Sequence, residues 1–368
     1  MREPRHSARI AAVALAALLL AGCAAEPDAQ PGPSGTASSS APAGSASASP
    51  GTLGEPEVLV EGLDAPWSIA FHDDVALVSE RDSARILEVS ADGATSEVGT
   101  IADVAPNGEG GLLGIAVREG YLYAYFTAAS DNRVARYELT GEAGSLGLGE
   151  PETLLDGIPA ASYHNGGRIA FGPDGYLYVT AGDAGNTASA QDLDALSGKI
   201  LRLTPEGEVP GDNPFAGSPV WSYGHRNPQG IAWDADGTMY ASEFGQDTWD
   251  ELNIIDAGSN YGWPTVEGAA GDGAFVDPVQ EWSPADASPS GIAIAGEEIY
   301  LANLRGERLR VVPLADLGSS NELFVGEYGR LRDVVVAPDG ALWVLTNNTD
   351  GRGDPAAGDD RILRIPFE

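Results

Sequence analysis

Pro173-Asp174-Gly175-Tyr176-Leu177-Tyr178-Val179-Thr180 reads as a tight turn followed by a strand. Glycine supplies the positive φ that a short hairpin turn needs, and the aromatic and β-branched residues after it suit a pleated, half-buried surface. The pattern recurs as Asp236-Gly237 before Thr238 to Ser242 and as Pro338-Asp339-Gly340 before Ala341 to Thr346. Weaker copies are Asp73-Asp74 before Val75 to Ser79, Glu119-Gly120 before Tyr121 to Phe126, and Gly296-Glu297 before Glu298 to Ala302. Six copies at intervals of roughly 40 to 60 residues, poor in amphipathic helix, predict an all-β fold, a six-bladed β-propeller. A β-sandwich or a pair of stacked barrels gives no reason for six equivalent positions. The last strand, Arg361 to Pro366, is expected to complete a blade begun near residue 57, so that the ring closes without an exposed edge.

Residues equally far on either side of a hairpin turn meet at its open end. His164 precedes Gly175 by 11 positions, Arg226 precedes Gly237 by 11, Glu109 precedes Gly120 by 11, and Arg330 precedes Gly340 by 10. Asp183 and Gly245 each follow their turn glycine by eight. In a ring of blades these loops emerge on one face, so residues in this phase converge on one mouth. An imidazole, a carboxylate and the guanidinia of Arg226, Arg305, Arg330 and Arg332 would share it, which suits proton abstraction beside a multiply charged organic anion. Glu243 to Pro264 interleaves oxygen donors with turns: Glu243, Gln246, Asp247, Asp250, Glu251, Asn260 and Tyr261. Calcium takes six to eight oxygens from such loops, yet no EF-hand pattern is present, so metal site and solvated acidic loop both remain open at this point.

The chain holds 55 acidic and 20 basic residues, a formal net charge of −35. Nucleic acid is excluded as a partner, because phosphate binding needs a basic footprint. Arg2, Arg5 and Arg9 precede the apolar run Ile10 to Leu20, which ends in Leu20-Ala21-Gly22-Cys23. This resembles a bacterial lipoprotein signal over residues 1–22, which implies cleavage before Cys23, lipid attachment to its thiol, and an exported protein tethered to the outer face of the cell membrane. An ordinary secretory signal is the alternative; the apolar run is too short for a membrane span. Losing Arg2, Glu3, Arg5 and Arg9 takes the net charge from −35 to −37. Residues 23–53 are Ala, Ser, Pro and Gly with almost no large apolar side chains, and are expected to form a tether ahead of a propeller domain at 54–368. Cys23 is the only cysteine, so no disulfide supports that domain.

His164-Asn165-Gly166-Gly167-Arg168, Gly182-Asp183, His225-Arg226-Asn227-Pro228-Gln229-Gly230, Asp250-Glu251-Leu252-Asn253 and Asn260-Tyr261-Gly262-Trp263-Pro264 follow in that order. In order and spacing they resemble the soluble pyrroloquinoline-quinone (PQQ)-dependent glucose and aldose sugar dehydrogenases, over about residues 57 to 367. The resemblance implies a six-bladed propeller that oxidises aldoses to lactones with PQQ and Ca2+ and passes electrons to an external acceptor. Matched position by position, it makes His164 the general base, Asp183 the carboxylate that orients it, and Arg226 the residue that stabilises the reducing quinone. Asn227, Arg330 and Arg332 match cofactor contacts. Gly245 and Gln246 match the backbone carbonyls of a calcium that grips the quinone, and Glu251 and Tyr261 match ligands of a second, structural calcium. Three positions depart from the family pattern: Glu109 stands where glutamine is usual, Arg305 replaces a lysine contact, and Gln246 replaces a proline. A carboxylate at 109 would repel a tricarboxylate unless protonated or turned away. Two other readings compete: a cofactor-free propeller lipoprotein acting as a carbohydrate-binding or assembly module, and a calcium-dependent lactonase-type hydrolase. The latter would want a carboxylate-rich mouth, whereas this one is rich in arginine.

Overall fold

The computed structural model describes residues 52–90 and 92–368. The signal segment, Cys23 and the tether as far as residue 51 lie outside the described residues. Strand-type pairing starts inside the expected tether, at Thr52 and Leu53: Leu53 bridges Phe367, and Glu368 N–H donates to the Thr52 carbonyl at 2.8 Å.

Six four-stranded antiparallel sheets make six blades. Five are continuous in sequence, over residues 66–100, 112–158, 169–223, 228–282 and 289–323. The sixth is made of Leu331–Val336, Leu342–Thr346 and Ile362–Ile365, with Glu57–Val60 as its outermost strand. Val58 opposite Leu363 joins the two ends of the domain, as the repeat reading expects. Glu57–Val60 covers the outer edge of Ile362–Ile365, which would otherwise be left unpaired.

Each repeat turn takes the left-handed conformation its sequence calls for. Gly120, Gly175, Gly237, Gly296 and Gly340 have φ of 80°, 83°, 86°, 58° and 82°. In the first blade Asp73 takes φ 52°, a conformation that aspartate tolerates better than most residues with a Cβ. The strand after each turn is buried on both faces. Leu177–Ala181, for example, is buried throughout, because its side chains face the neighbouring blades on either side. Six apolar clusters result, one in each gap between adjacent blades, and the residues 57–60 and 362–365 supply part of the cluster that seals the last gap.

The channel along the axis is polar and filled. Arg168 Nη1 lies 2.9 Å from Asp333 Oδ2, donates also to Ser68 Oγ at 3.0 Å, and its Nε donates to the Gln229 carbonyl at 2.9 Å. The guanidinia of Arg168 and Arg332 lie over the Trp67 ring at 4.4 and 5.6 Å. These contacts tie blades one, three, four and six across the axis, and they form the floor beneath the mouth.

Candidate active site

The mouth is assembled from two equivalent places in each blade: the residues just before the innermost strand and those just after the second. His164, Arg226, Glu109 and Arg330 come from the first place; Asp183, Gly245, Arg305 and, beyond the sequence reading, Arg81 and Arg352 come from the second.

His164 and Asp183 meet. Asp183 Oδ1 lies 2.8 Å from His164 Nδ1 and accepts the Gly185 N–H at 2.8 Å; Oδ2 accepts the Trp263 indole N–H at 2.9 Å. Burial pushes the Asp183 carboxyl up, but the hydrogen bonds from His164, Gly185 and Trp263 hold it below the ordinary carboxylate range. An ionised Asp183 accepts a proton-bearing Nδ1, which leaves Nε2 as the nitrogen with a free lone pair. His164 pays for its position with a left-handed backbone, φ 57°. Its N–H is held by Glu109 Oε2 at 2.9 Å and its carbonyl by the Ala184 N–H at 3.1 Å. Next to it, a Cβ at Gly166 would lie 2.6 Å from the Thr180 carbonyl oxygen and one at Gly167 2.5 Å from Leu113 Cδ1, so the two glycines are what let this loop sit down on blades two and three.

Arg226 opens on the same side. Its carbonyl accepts the Asp183 N–H at 2.8 Å, and its guanidinium lies 5.4 Å from the Trp263 ring. Asn227 Oδ1 accepts the Gly166 N–H at 2.9 Å, so the arginine segment is bonded directly to the histidine segment. Below them Glu243 receives the N–H groups of both Arg226 and Asn227 on Oε1, while Oε2 lies 2.8 Å from His225 Nδ1. His225 Nε2 in turn lies 2.8 Å from Ser222 Oγ, and the ring stacks on Tyr261 at 4.7 Å. Trp263, Glu243 and Ser222 are positioning residues that the sequence reading did not single out for this role.

Beside this pair lies a cavity of ≈ 180 Å³, lined by Arg81, Arg305, Arg330, Arg332 and Arg352 among others, with Glu109 the one carboxylate in its wall. Of the expected cofactor contacts, Glu109, Arg305, Arg330 and Arg332 line it. His164, Arg226 and Asn227 border it through their partners: Glu109 carries the His164 N–H, and the wall residue Phe244 accepts from Arg226 Nη1 at 3.1 Å. Arg332 is fully buried, where burial works against its charge and Asp350 supports it. Asp350 also binds Arg330 Nη2 at 3.1 Å. Glu109 is neutralised on its other oxygen by Arg352 Nη1 at 2.9 Å. Arg81 followed its turn by the same interval as Asp183; the absence of a glycine at Asp73-Asp74 hid it.

The donor set suits an anion with many acceptors. Asn227 Nδ2, Arg226 Nε and Arg330 Nε are buried N–H groups with no protein acceptor. Such groups are costly unless a ligand or water satisfies them.

For the calcium positions the outcome is divided. Gly245, expected to offer its carbonyl to the metal that grips the quinone, instead receives Arg226 Nη1 on that oxygen. A guanidinium and a dication compete for one oxygen, so the Gly245 carbonyl as it stands does not fit a metal. Glu251 lies at a small pocket with Glu243, Gly245, Tyr261 and Glu267. Burial first, and the charge of Glu243 second, drive its carboxyl upward. Tyr261 has its hydroxyl committed: it donates to the Ile254 carbonyl at 2.7 Å and accepts the Asp256 N–H at 2.8 Å. Its backbone carbonyl is the oxygen it can offer. Among the described residues no three His, Cys, Asp or Glu side chains form a ready metal cluster, so a calcium here would draw on carbonyls.

Six blades, a histidine–aspartate pair and an arginine-lined cavity make up a propeller oxidoreductase. The chain belongs to the glucose/sorbosone dehydrogenase family, whose model matches residues 63–363. It is 30% identical over 336 residues to an aldose sugar dehydrogenase of Escherichia coli, covering 80% of this chain and 90% of that protein. It is 31% identical over 261 residues to quinoprotein glucose dehydrogenase B of Acinetobacter calcoaceticus, 60% of this chain and 54% of the relative. Among solved structures, the PQQ-bound aldose sugar dehydrogenase of Streptomyces coelicolor superposes with a TM-score of 0.83 at 51% identity, covering 86% of this chain and 98% of that one.

Proposed function

We propose that this protein oxidises aldoses at the anomeric carbon to lactones, with PQQ as the bound acceptor. The observation that carries the reading is the His164–Asp183 pair, joined through Glu109 to the wall of an arginine-lined cavity, together with the buried N–H groups of Arg226, Asn227 and Arg330 that lack protein acceptors. The quinone, when bound, supplies a two-electron acceptor for the hydride of the anomeric carbon. His164 Nε2 takes the proton of the anomeric hydroxyl, and the electron pair of that O–H bond becomes the second bond of the lactone carbonyl. Asp183 stabilises the imidazolium that forms and holds the ring in register. Arg226, Asn227, Arg305, Arg330 and Arg332 would hold the cofactor, their positive charge matching its carboxylates and the negative charge that builds on its oxygens. The protein places and polarises; the redox chemistry belongs to the cofactor.

Glu251 and the Tyr261 carbonyl would hold a structural calcium, whose charge offsets the repulsion between Glu251 and Glu243. An external electron acceptor returns the cofactor to its oxidised form. The signal-like segment and Cys23 support an exported protein, lipid-anchored at the outer face of the cell membrane.

The test is reconstitution of the purified domain with PQQ and calcium, followed by dye-linked oxidation of a panel of aldoses. Turnover is expected, and His164→Ala is expected to abolish it while leaving cofactor binding in place. Absence of cofactor-dependent turnover on every aldose would favour the carbohydrate-binding reading.

A further inference from the structure

The arginine-lined cavity contains one misfit, the carboxylate of Glu109. Glu109 is spoken for on both oxygens: Oε2 by the His164 N–H at 2.9 Å and Oε1 by Arg352 Nη1 at 2.9 Å. Arg352 sits on the loop that follows the second strand of the sixth blade, and its side chain is 50% exposed against 18% for Glu109. That loop is anchored from below rather than by Arg352 itself. Asp350 Oδ1 accepts the Arg352 N–H at 2.9 Å, and its Oδ2 binds Arg330 at 3.1 Å. The Asp350 carbonyl accepts Arg81 Nη2 at 3.3 Å. The loop is therefore pinned to two other arginines of the cavity wall, while the Arg352 guanidinium reaches over the lip with Nη1 on Glu109 and no other protein partner among the described residues. A guanidinium carries five N–H donors in a planar fork, so one edge can hold a protein carboxylate while another faces a ligand carboxylate.

We propose that Arg352 is a cofactor-binding residue of this chain, and that Glu109 and Arg352 act as a compensated pair. Glu109 holds the strained His164 backbone and fixes the guanidinium at the lip. Arg352 cancels the charge that would otherwise repel a polycarboxylate, and presents its remaining N–H groups to one of the ligand's carboxylates. The inference rests on the reading of the cavity as a PQQ site, and explains how a carboxylate at position 109 is compatible with it.

The experiment is a double-substitution cycle read by binding of PQQ to the purified domain, followed by equilibrium dialysis and by quenching of tryptophan fluorescence, since Trp67 lines the cavity. Arg352→Gln is expected to weaken binding about tenfold or more, because it removes a charged donor and unmasks Glu109. Glu109→Gln alone keeps an acceptor for the His164 N–H and is expected to tighten binding by a few-fold. The pair Glu109→Gln/Arg352→Gln is expected to recover most of the loss caused by Arg352→Gln, and raised salt to shrink all of these differences. Arg352→Lys, which restores charge without the fork, is expected to fall between. Equal affinity of Arg352→Gln and the unsubstituted protein, or an Arg352→Gln loss that is the same with Glu and Gln at 109, overturns the pair while leaving the PQQ reading intact. Failure of the unsubstituted protein to bind PQQ overturns that reading and the pair with it. Arg352 is half exposed, so the fold should survive its replacement, and a thermal melt of each variant checks this.

Discussion

Asp183 holds His164 by Nδ1 at 2.8 Å, and with its second oxygen it holds Trp263 at 2.9 Å, the residue whose ring lies against Arg226. One carboxylate thus sets the orientation of the expected base and, through an indole, the place of the neighbouring guanidinium. Asp183→Asn removes the charge that favours the imidazolium and allows the wrong ring nitrogen to carry the proton. Turnover should fall by about 10²-fold or more with cofactor affinity little changed. Pre-steady-state reduction of the bound quinone by an aldose measures this directly, and a loss confined to cofactor affinity would contradict the role.

Glu251 and Glu243 are buried carboxylates that repel each other, and each protonation or cation that relieves them stabilises the fold. A chelator should lower the melting temperature of the domain, and added calcium should restore it. Glu251→Gln removes one of the two charges, so its melting temperature should respond far less to either treatment. Calorimetry with and without chelator decides; a response undiminished in Glu251→Gln would place the metal elsewhere.

The Arg168–Asp333 pair is buried in the channel, and Asp333 also accepts the N–H groups of Ile69 and Val334. Asp333→Ala leaves a guanidinium without its counter-ion and two N–H groups without an acceptor. A loss of about 3–5 kcal/mol is expected, read as a fall in the urea midpoint. A change near zero would mean that water fills the gap without cost.

Lys199, the one lysine of the chain, is fully buried and donates to the carbonyls of Ser189, Ala190 and Ser197 at 2.7, 3.1 and 2.8 Å. Burial pushes its ammonium down to about 8, with Asp192 opposing. In the unfolded chain the group titrates at about 10.4, so between these two values the unfolded state binds more protons than the folded one. The contribution of Lys199 to stability therefore rises with pH across that window, and is lost as pH falls through the lower value. Denaturation curves of wild type and Lys199→Met should diverge in the wild type's favour between pH 8 and 10; parallel curves would show that the three carbonyls fully hold the charged form.

The outer design of this molecule was open to reading from the chain. Turn residues recur in one phase, and each of the six turns has a glycine or, at Asp73, an aspartate in positive φ, joined at Glu119-Gly120 by Glu119 itself. Period and phase together imply blades, and place His164, Asp183, Arg226 and Arg330 at one end of them, because a hairpin forces residues symmetric about its turn to face each other. Closure was likewise visible, as a strand near residue 57 left over ahead of the first blade and a last strand, Ile362–Ile365, available to pair with it.

What resisted reading were the contacts between blades. Trp263 reaches Asp183 across 80 positions and Arg352 reaches Glu109 across more than 200, and neither pairing has a local pattern. The same holds for Gly245, whose carbonyl meets a guanidinium where a dication was expected. Local sequence determined which way each strand turns and which side chains end at its mouth, since backbone sterics and alternation act within a few residues. Only the closed ring decided which of those side chains touch. Distances across the mouth depend on how six blades pack around one axis, and that is a sum over every interface between them.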